Sequence, residues 1–418
     1  MNSPQKHQHG GAVRAVWRHR NYALFMAGLA PAAVSSWMQR VGVGWLAWEL
    51  TNSTVWLGII AAADLVPILI LSPFAGAMTD RMSALTMVRI TQWLLFVQAA
   101  LLAILMAVGL LTIEVLFILT LLLGVVHAFS SAGRHALVPL TVPRELVPTA
   151  ISLDSAIFQA SRFVGPAVAA LTIPFWGVLG TFAAHAIGTF IFAALMHLMT
   201  QPDRVATHHR SRNLLRDVGE SMTYVRTHAG IWPLMIMLTV ASVFVRPLQD
   251  MLPGFSGEVY GAGASGLAWL TSAMGVGAMV SALWVAIHGR TSGLTNMCFI
   301  GGALSGLSLV GLVATTTFWI GLGFAALSGY ALNTLSTSVQ ALIQSAVDDS
   351  LRGRVMSLYT LIFRGLPAVG SLGFGVLAEF VGLRWTFAAA GVACLVAGLL
   401  VAPKRRTMIK SLEIKRTQ

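Results

Sequence analysis

Whole stretches of about 20 residues in this chain are apolar on every side, the length that crosses a membrane as one helix. The apolar residues are not confined to one face at a period of about 3.6, as in surface helices of soluble proteins. Of 418 residues, 56% are hydrophobic and only 10% are charged, too few charges for a soluble protein of this size. We therefore expect an all-α polytopic membrane protein.

Twelve such stretches are predicted to span the membrane. One long polar segment, 201–230, separates the first six from the last six. The chain is therefore divided into an N-terminal tail, a six-helix half, a linker, a second six-helix half and a basic tail: 1–21, 22–200, 201–230, 231–402 and 403–418. The predicted spans are 22–50, 54–78, 86–110, 114–136, 147–173, 178–200, 231–252, 264–288, 294–314, 317–342, 355–379 and 384–402.

Basic residues determine the predicted orientation. The linker 201–230 and the tail after 402 are rich in arginine and lysine. The loops on the other side keep only Arg384, with Arg246 near the end of the seventh span. Because basic loops remain in the cytoplasm, both chain termini are predicted to be cytoplasmic.

The two halves contain an internal repeat. A shift of 205 residues aligns 131–184 with 336–389 without a gap, and the run TFAA at 181–184 recurs at 386–389. The shift also aligns glycine with glycine, at Gly165/Gly370 and Gly177/Gly382. Two six-helix halves in parallel repeat are typical of transporters that alternate access to a central site.

Several function classes are disfavoured. The net charge of +12 lies in short connecting segments, with no basic stripe interleaved with aromatic residues, so no nucleic-acid partner is expected. No span carries a cluster of histidine, cysteine or carboxylate residues, so we expect no metal site. Neither a phosphate-binding loop nor a nucleophile with its base is found, so we expect no enzyme activity and no cofactor.

The cytoplasmic end of the second span carries Gly76, Asp80 and Arg81 in the pattern GxxxDR. Glycine permits close packing of helices, and Asp80 can accept N–H groups or attract a cation at a neighbouring helix end. Such a contact has to break when the two halves move, which predicts a gating latch. The alternative is an ordinary solvated loop pair.

This GxxxDR pattern resembles the loop 2–3 signature of the major facilitator superfamily. Other stretches resemble the enterobactin-exporter and macrolide-efflux branch of that superfamily: WMQR at 37–40, LSPFAG at 71–76, VPRE at 142–145, GP at 165–166 and LRGRVMS at 351–357. The resemblance covers almost the whole chain. It implies a twelve-helix fold in two pseudo-symmetric halves and export driven by the proton gradient, across a bacterial inner membrane.

The chain departs from the family pattern in two places. The residues after Arg81 read MSAL, where the family loop usually continues with several basic residues. The fifth-span antiporter signature resembles GPxxGG but reads GPAVAA from Gly165. Proline removes one helical hydrogen bond and glycine lets a neighbour approach, so Gly165 and Pro166 predict a bend. The alternative is ordinary membrane-helix packing, in which both residues are common.

Charged residues deep in the predicted spans are the candidate transport site. Arg40 lies twelve residues before Asn52 in the outer loop and Asp64 lies twelve residues after it. At about 1.5 Å per residue both lie about 18 Å below the loop, near the membrane centre. Asp64 is predicted to be the only carboxylate at that depth.

We predict that Asp64 couples transport to protons and that Arg40 is its switchable partner. A carboxylate whose arginine partner is close in only one conformation changes its proton affinity with that conformation. The predicted substrate cavity consists of these two residues together with Gln39, Arg162 and Arg364. The alternative is a structural ion pair, with the other arginines bonded to helix carbonyls.

The function predicted from the sequence is proton-coupled export of a small amphipathic organic molecule, drug-like or siderophore-like, by alternating access. The positive charge at the centre favours a neutral or anionic substrate. The alternatives are an importer or a metal-resistance exporter of the same fold, or a non-transporting scaffold or receptor. The expected partners are a small-molecule substrate, protons and the lipid bilayer, and the protein is expected to be a monomer.

Overall fold

The computed structural model describes residues 6–200, 222–287, 293–347 and 349–413. These residues form helices and contain no strand, which confirms the predicted all-α fold. Backbone groups in a bilayer must find partners within their own segment, and the helix meets that need for every apolar stretch. The chain forms two compact units, unit 1 (Met1–Leu46 with Val66–His209) and unit 2 (Ala47–Leu65 with Arg210–Gln418).

Seven helices precede the linker. They are α1 (Lys6–Trp17), α2 (Arg20–Thr51), α3 (Thr54–Arg81), α4 (Ala84–Ala107), α5 (Ile113–Leu137), α6 (Val147–Trp176) and α7 (Leu179–His197). The helices after it are α8 (Ile231–Val240), α9 (Leu248–Gly254), α10 (Gly263–Ile287), α11 (Leu294–Ala314), α12 (Phe318–Ala346), α13 (Asp349–Thr360), α14 (Leu366–Val381), α15 (Leu383–Val401) and α16 (Arg405–Leu412).

Among the described residues, eleven helices are long and apolar enough to cross a membrane. The first predicted span, 22–50, lies in α2, which has 32 residues but is not among those eleven. The predicted linker falls mostly at 201–221, outside the described residues, and its placement stays a prediction. The chain is therefore a multi-pass membrane protein with eleven clearly apolar spans and α2 as the remaining predicted one.

The core of unit 1 is aromatic and aliphatic, and it includes the fully buried Tyr22, Phe25 and Leu137. Val16 of α1 belongs to the same cluster, so the end of the predicted N-terminal tail is folded onto the helices. Tyr22 donates its hydroxyl proton to the carbonyl of Ala150 at 3.1 Å. A buried tyrosine needs such a partner, and here it joins α2 to α6.

Among the described residues, π-helical segments occur in unit 2 and not in unit 1. Ala241–Val245 connects α8 to α9, Phe255–Val259 follows α9, and Leu361–Gly365 connects α13 to α14. A π segment inserts an extra residue into a helical turn and is frequent at functional sites. The seventh span, which contains two of these segments, runs to Val259, whereas the sequence predicts that it ends at 252.

The structure extends the sequence repeat to backbone geometry. The helices α6 and α14 are followed directly by Gly177 and Gly382, which have positive φ values of 60° and 84°. The equivalent Phe182 and Phe387 that follow are both completely buried. Only glycine adopts such a backbone conformation without strain, so the repeated glycine sets the same turn in each unit.

The basic tail after 402 is folded against unit 2. In α16 the side chain of Met408 is fully buried, while Lys404, Arg405 and Arg406 before it are exposed. Glu413 accepts hydrogen bonds from the N–H groups of Gly293 and Thr295, at 2.7 and 2.8 Å. A carboxylate at these unsatisfied N–H groups caps α11, so the tail stabilises that helix end.

Candidate transport site

The arginines predicted for the cavity lie against an aromatic ring in unit 1. The guanidinium carbons of Arg40 and Arg162 lie 5.6 and 5.5 Å from the centroid of Trp37. An indole ring attracts guanidinium groups through its negatively polarised face. The structure therefore brings together Arg40 of α2 and Arg162 of α6, as the sequence predicts, with Trp37 as a partner that the prediction omitted.

Gly165 explains how α2 and α6 come so close. A Cβ at this position would lie 2.5 Å from the carbonyl oxygen of Val34 and 2.5 Å from the Cβ of Trp37. Any side chain larger than hydrogen would push the helices apart. Pro166 is buried within α6, which continues as α-helix on both sides of it. The predicted close approach at Gly165 is thus observed, while the bend stays a prediction.

Gln39 lies inside unit 1 and holds three helices together. Its side chain is 1% exposed, and its Nε2 donates to Oε1 of Gln98 at 3.2 Å. Gln98 in turn donates to the carbonyl of Leu119 at 3.2 Å. Buried amides need such partners, because an unpaired polar group in an apolar interior is costly. In this structure Gln39 links α2, α4 and α5, and its predicted place in a substrate cavity stays a prediction.

Asp64 is partly buried on α3 and belongs to unit 2. Arg40 belongs to unit 1, and the pairing of the two residues stays a prediction. Arg364 lies within the π segment Leu361–Gly365 of unit 2 and is exposed.

Asp250 is a carboxylate inside a span that the sequence alone did not single out. Asp250 of α9 accepts a hydrogen bond of 2.7 Å from the hydroxyl of Ser371 on α14. The predicted span 231–252 contains Asp250 near its end, whereas in the structure the seventh span continues to Val259, so Asp250 lies nine residues before its end. That Asp64 is the only carboxylate near the membrane centre stays a prediction. Ser371 is fully buried, so this contact lies between helices and not at the surface.

Arg246 provides unit 2 with its own contact between arginine and aromatic rings. Its guanidinium carbon lies 4.4 Å from the ring centroid of Phe363, which stacks on Tyr359 at 5.7 Å and 17°. Arg246 directly follows one π segment, and Phe363 lies within another. The spacing of Arg246 and Asp250, one helical turn apart, is the sequence signal that could have revealed this site.

The predicted gating loop is only partly described. Asp80 is the penultimate residue of α3, and its side chain lies outside the described part of the structure. Arg81 is exposed. Within 4 Å of a Cβ placed at Gly76 there is no atom of the described residues, so the expected close packing at this glycine is not observed. A latch at this loop stays a prediction.

Comparisons with known proteins agree with this architecture. The family model described as transmembrane secretion effector matches residues 15–417. The chain belongs to this family of major facilitator superfamily transporters. It is 26% identical to the staphyloferrin A transporter of Staphylococcus aureus over 373 residues, covering 87% of this chain and 90% of that protein.

Two further similarities cover nearly the whole transporter. This chain is 21% identical to macrolide efflux protein A of Streptococcus pyogenes over 406 residues, which covers 96% of this chain and 98% of that protein. A crystal structure of a bacterial homologue of the lysosomal transporter Spinster superposes with a TM-score of 0.70 at 14% identity, covering 95% and 99% of the two chains. The sequence relatives are named as transporters or efflux proteins, in line with the expectation of no enzyme activity.

Proposed function

We propose that this transporter exports a small organic molecule from the cytoplasm in exchange for protons, by alternating access across a bacterial inner membrane. The relatives named for staphyloferrin A and for macrolide efflux support an organic substrate. The main support is the set of arginines held against aromatic rings inside the spans of each unit. Charged residues inside a membrane are costly, so they indicate a function by default.

The chemistry of these residues favours an anionic or neutral substrate with a flat apolar part. Arg40, Arg162 and Arg246 stay protonated at any physiological pH and can bind carboxylates through paired N–H groups. Trp37 and Phe363 offer apolar faces beside them. We propose Arg364 as a further cation of the cavity, because it is exposed within a span.

Coupling to protons requires a carboxylate that changes protonation between the two conformations. We propose Asp64 for this role, with Arg40 as the fixed charge that it approaches or leaves. Asp250 is the second candidate, because its hydrogen bond from Ser371 places a carboxylate between two spans. Metal export is not supported, since no group of three or more metal-binding side chains occurs among the described residues.

The test compares Asp64→Asn with Asp250→Asn in inverted membrane vesicles supplied with a labelled macrolide or staphyloferrin A. Asp64→Asn should abolish accumulation against a gradient, while substrate binding stays within a few-fold of wild type. If Asp64→Asn still accumulates substrate and Asp250→Asn does not, the coupling role belongs to Asp250. Accumulation by both variants at normal abundance would disprove proton coupling through either residue.

A further inference from the structure

The beginning of α3 is bound by a carboxylate from the second half of the chain. Glu379 of α14 accepts hydrogen bonds from the N–H of Thr54 at 3.0 Å and from the hydroxyl of Ser53 at 3.1 Å. The hydroxyl of Thr54 lies 3.1 Å from the same oxygen and 2.7 Å from the carbonyl of Gly375. Glu379 therefore caps the N-terminus of α3, where a negative charge is favourable.

The two helices touch along their backbones next to this cap. A Cβ at Gly58 would lie 2.6 Å from the carbonyl oxygen of Ser371. A Cβ at Gly375 would lie 2.6 Å from the carbonyl oxygen of Thr54. Small residues at a spacing of four on both helices allow this approach, and they bring α14 within reach of the cap.

The segment held by this contact is Ala47–Leu65, which packs with unit 2 although the chain on both sides of it belongs to unit 1. The start of this segment also contacts unit 2, because the indole of Trp48 packs on Gly254 and Gly257. Helical residues that favour bending flank the segment. Gly44 lies three residues before it, and Pro67, which cannot donate a backbone hydrogen bond, lies two residues after it.

We propose that Glu379 is a positioning residue for transport, whose carboxylate holds Ala47–Leu65 against α14 at the outer face. This inference rests on the proposed alternating access. In the outward-open conformation the cap would break and the segment would move with unit 1, bending near Gly44 and Pro67. In the structure the cap consists of hydroxyl and N–H donors around one carboxylate oxygen, so loss of the carboxylate should release it.

The experiment measures thiol accessibility at two reporter positions in a full-length protein without Cys298 and Cys394. Ala61→Cys is the outer reporter, because Ala61 is 7% exposed and shares a helix face with Thr54. Its labelling by an impermeant reagent in whole cells is divided by that of Thr316→Cys, an exposed loop residue. Ser357→Cys, exposed on α13, is the inner reporter and is labelled in inverted vesicles.

Glu379→Ala should raise labelling at Ala61→Cys roughly tenfold, because hydrogen bonds to a charged group are lost. Labelling at Ser357→Cys should fall at the same time, since opening on one side requires closing on the other. Thr54→Val should act in the same direction, whereas Thr54→Ser, which keeps the hydroxyl, should behave as wild type. Glu258→Gln, which removes another exposed carboxylate of unit 2, is the matched control and should change neither reporter.

Increased outer labelling without the fall at the inner reporter would show a local helix cap only, and the positioning role would be wrong. Unchanged labelling at both positions would also overturn it. Neither reporter requires a transported substrate, so this experiment can fail or succeed independently of proton-coupled export. Normal abundance of Glu379→Ala in the membrane is the condition for comparing the labelling rates.

Discussion

Unit 1 and unit 2 each contain a helix crossing of the same design. Gly165 of α6 packs on the carbonyl of Val34, and the equivalent Gly370 of α14 packs on the carbonyl of Val243. The crossing in unit 1 is made of continuous α-helices, whereas a π segment lies on both helices of the crossing in unit 2. The repeated glycines preserve the approach of the backbones while the polar residues around them differ.

The polar chemistry of the two crossings differs accordingly. In unit 1 two arginines share the ring of Trp37. At the crossing in unit 2 Arg246 contacts the ring of Phe363, and Asp250 accepts a hydrogen bond from Ser371 across the crossing. The shift of 205 residues places Ser371 opposite Pro166, which has no side-chain donor. The same helix crossing therefore holds two arginines in unit 1, and it holds the carboxylate of Asp250 in unit 2.

The largest expected effect comes from closing the space at the two glycines. Gly165→Ala and Gly370→Ala should each destabilise the protein by about 1–3 kcal/mol, because overpacked helices must separate. Gly373→Ala is the matched control, since its Cβ would meet no described atom within 4 Å. Thermal unfolding in detergent measures the difference. If only one of the two crossings is sensitive, the two are not equivalent.

Removing the hydroxyl of Ser371 tests whether the carboxylate contact is particular to unit 2. Ser371→Ala should lower transport by roughly tenfold, because a hydrogen bond to a charged group contributes about 1.5–3 kcal/mol. Ser161→Ala is the counterpart in unit 1, where the hydroxyl donates only to the carbonyl of Phe158 on its own helix. Initial transport rates of the two variants should differ, and equal rates would remove the functional contrast.

Changes to the aromatic rings should have smaller effects. Trp37→Leu should raise the substrate KM by a few-fold, because contacts between arginine and an aromatic ring are worth about 0.5–2 kcal/mol. Phe363→Leu should have a smaller effect, because among the described residues one guanidinium lies against this ring and two lie against Trp37. Transport measured over a range of substrate concentrations separates KM from the maximal rate. A larger effect of Phe363→Leu would place the main binding surface in unit 2.

The smallest effect is expected at the outer turns after the first and seventh spans. Asn52 and Gly261 both have positive φ, 46° and 58°, and both lie 18 residues after the valine of their crossing. Asn52→Gly should change stability by only a few tenths of a kcal/mol, since asparagine tolerates this conformation. Gly261→Asn should be similarly mild. A large loss in either variant, measured by thermal unfolding, would show that the turns are not interchangeable.

Much of the architecture follows from the sequence for simple physical reasons. Apolar stretches of about 20 residues must form helices in a bilayer, so the all-α fold and most spans were predictable. The 205-residue shift identified Gly165/Gly370 and Gly177/Gly382, and the structure shows a shared role for each pair. Arg40 and Arg162 were predictable as neighbours because an intramembrane charge must face the protein interior.

The tertiary structure alone decided the features that depend on packing between distant segments. Asp250 lies farther from the end of the seventh span than the sequence predicts, because the helix continues through the π segment Phe255–Val259, which hydropathy does not reveal. Ala47–Leu65 belongs to unit 2, where Glu379 binds its residue Thr54 across more than 300 residues of sequence. The sequence determined which residues lie in the membrane, because burial in lipid acts on each segment alone. Which side chains meet depends on helix crossings, which one sequence without its fold does not specify.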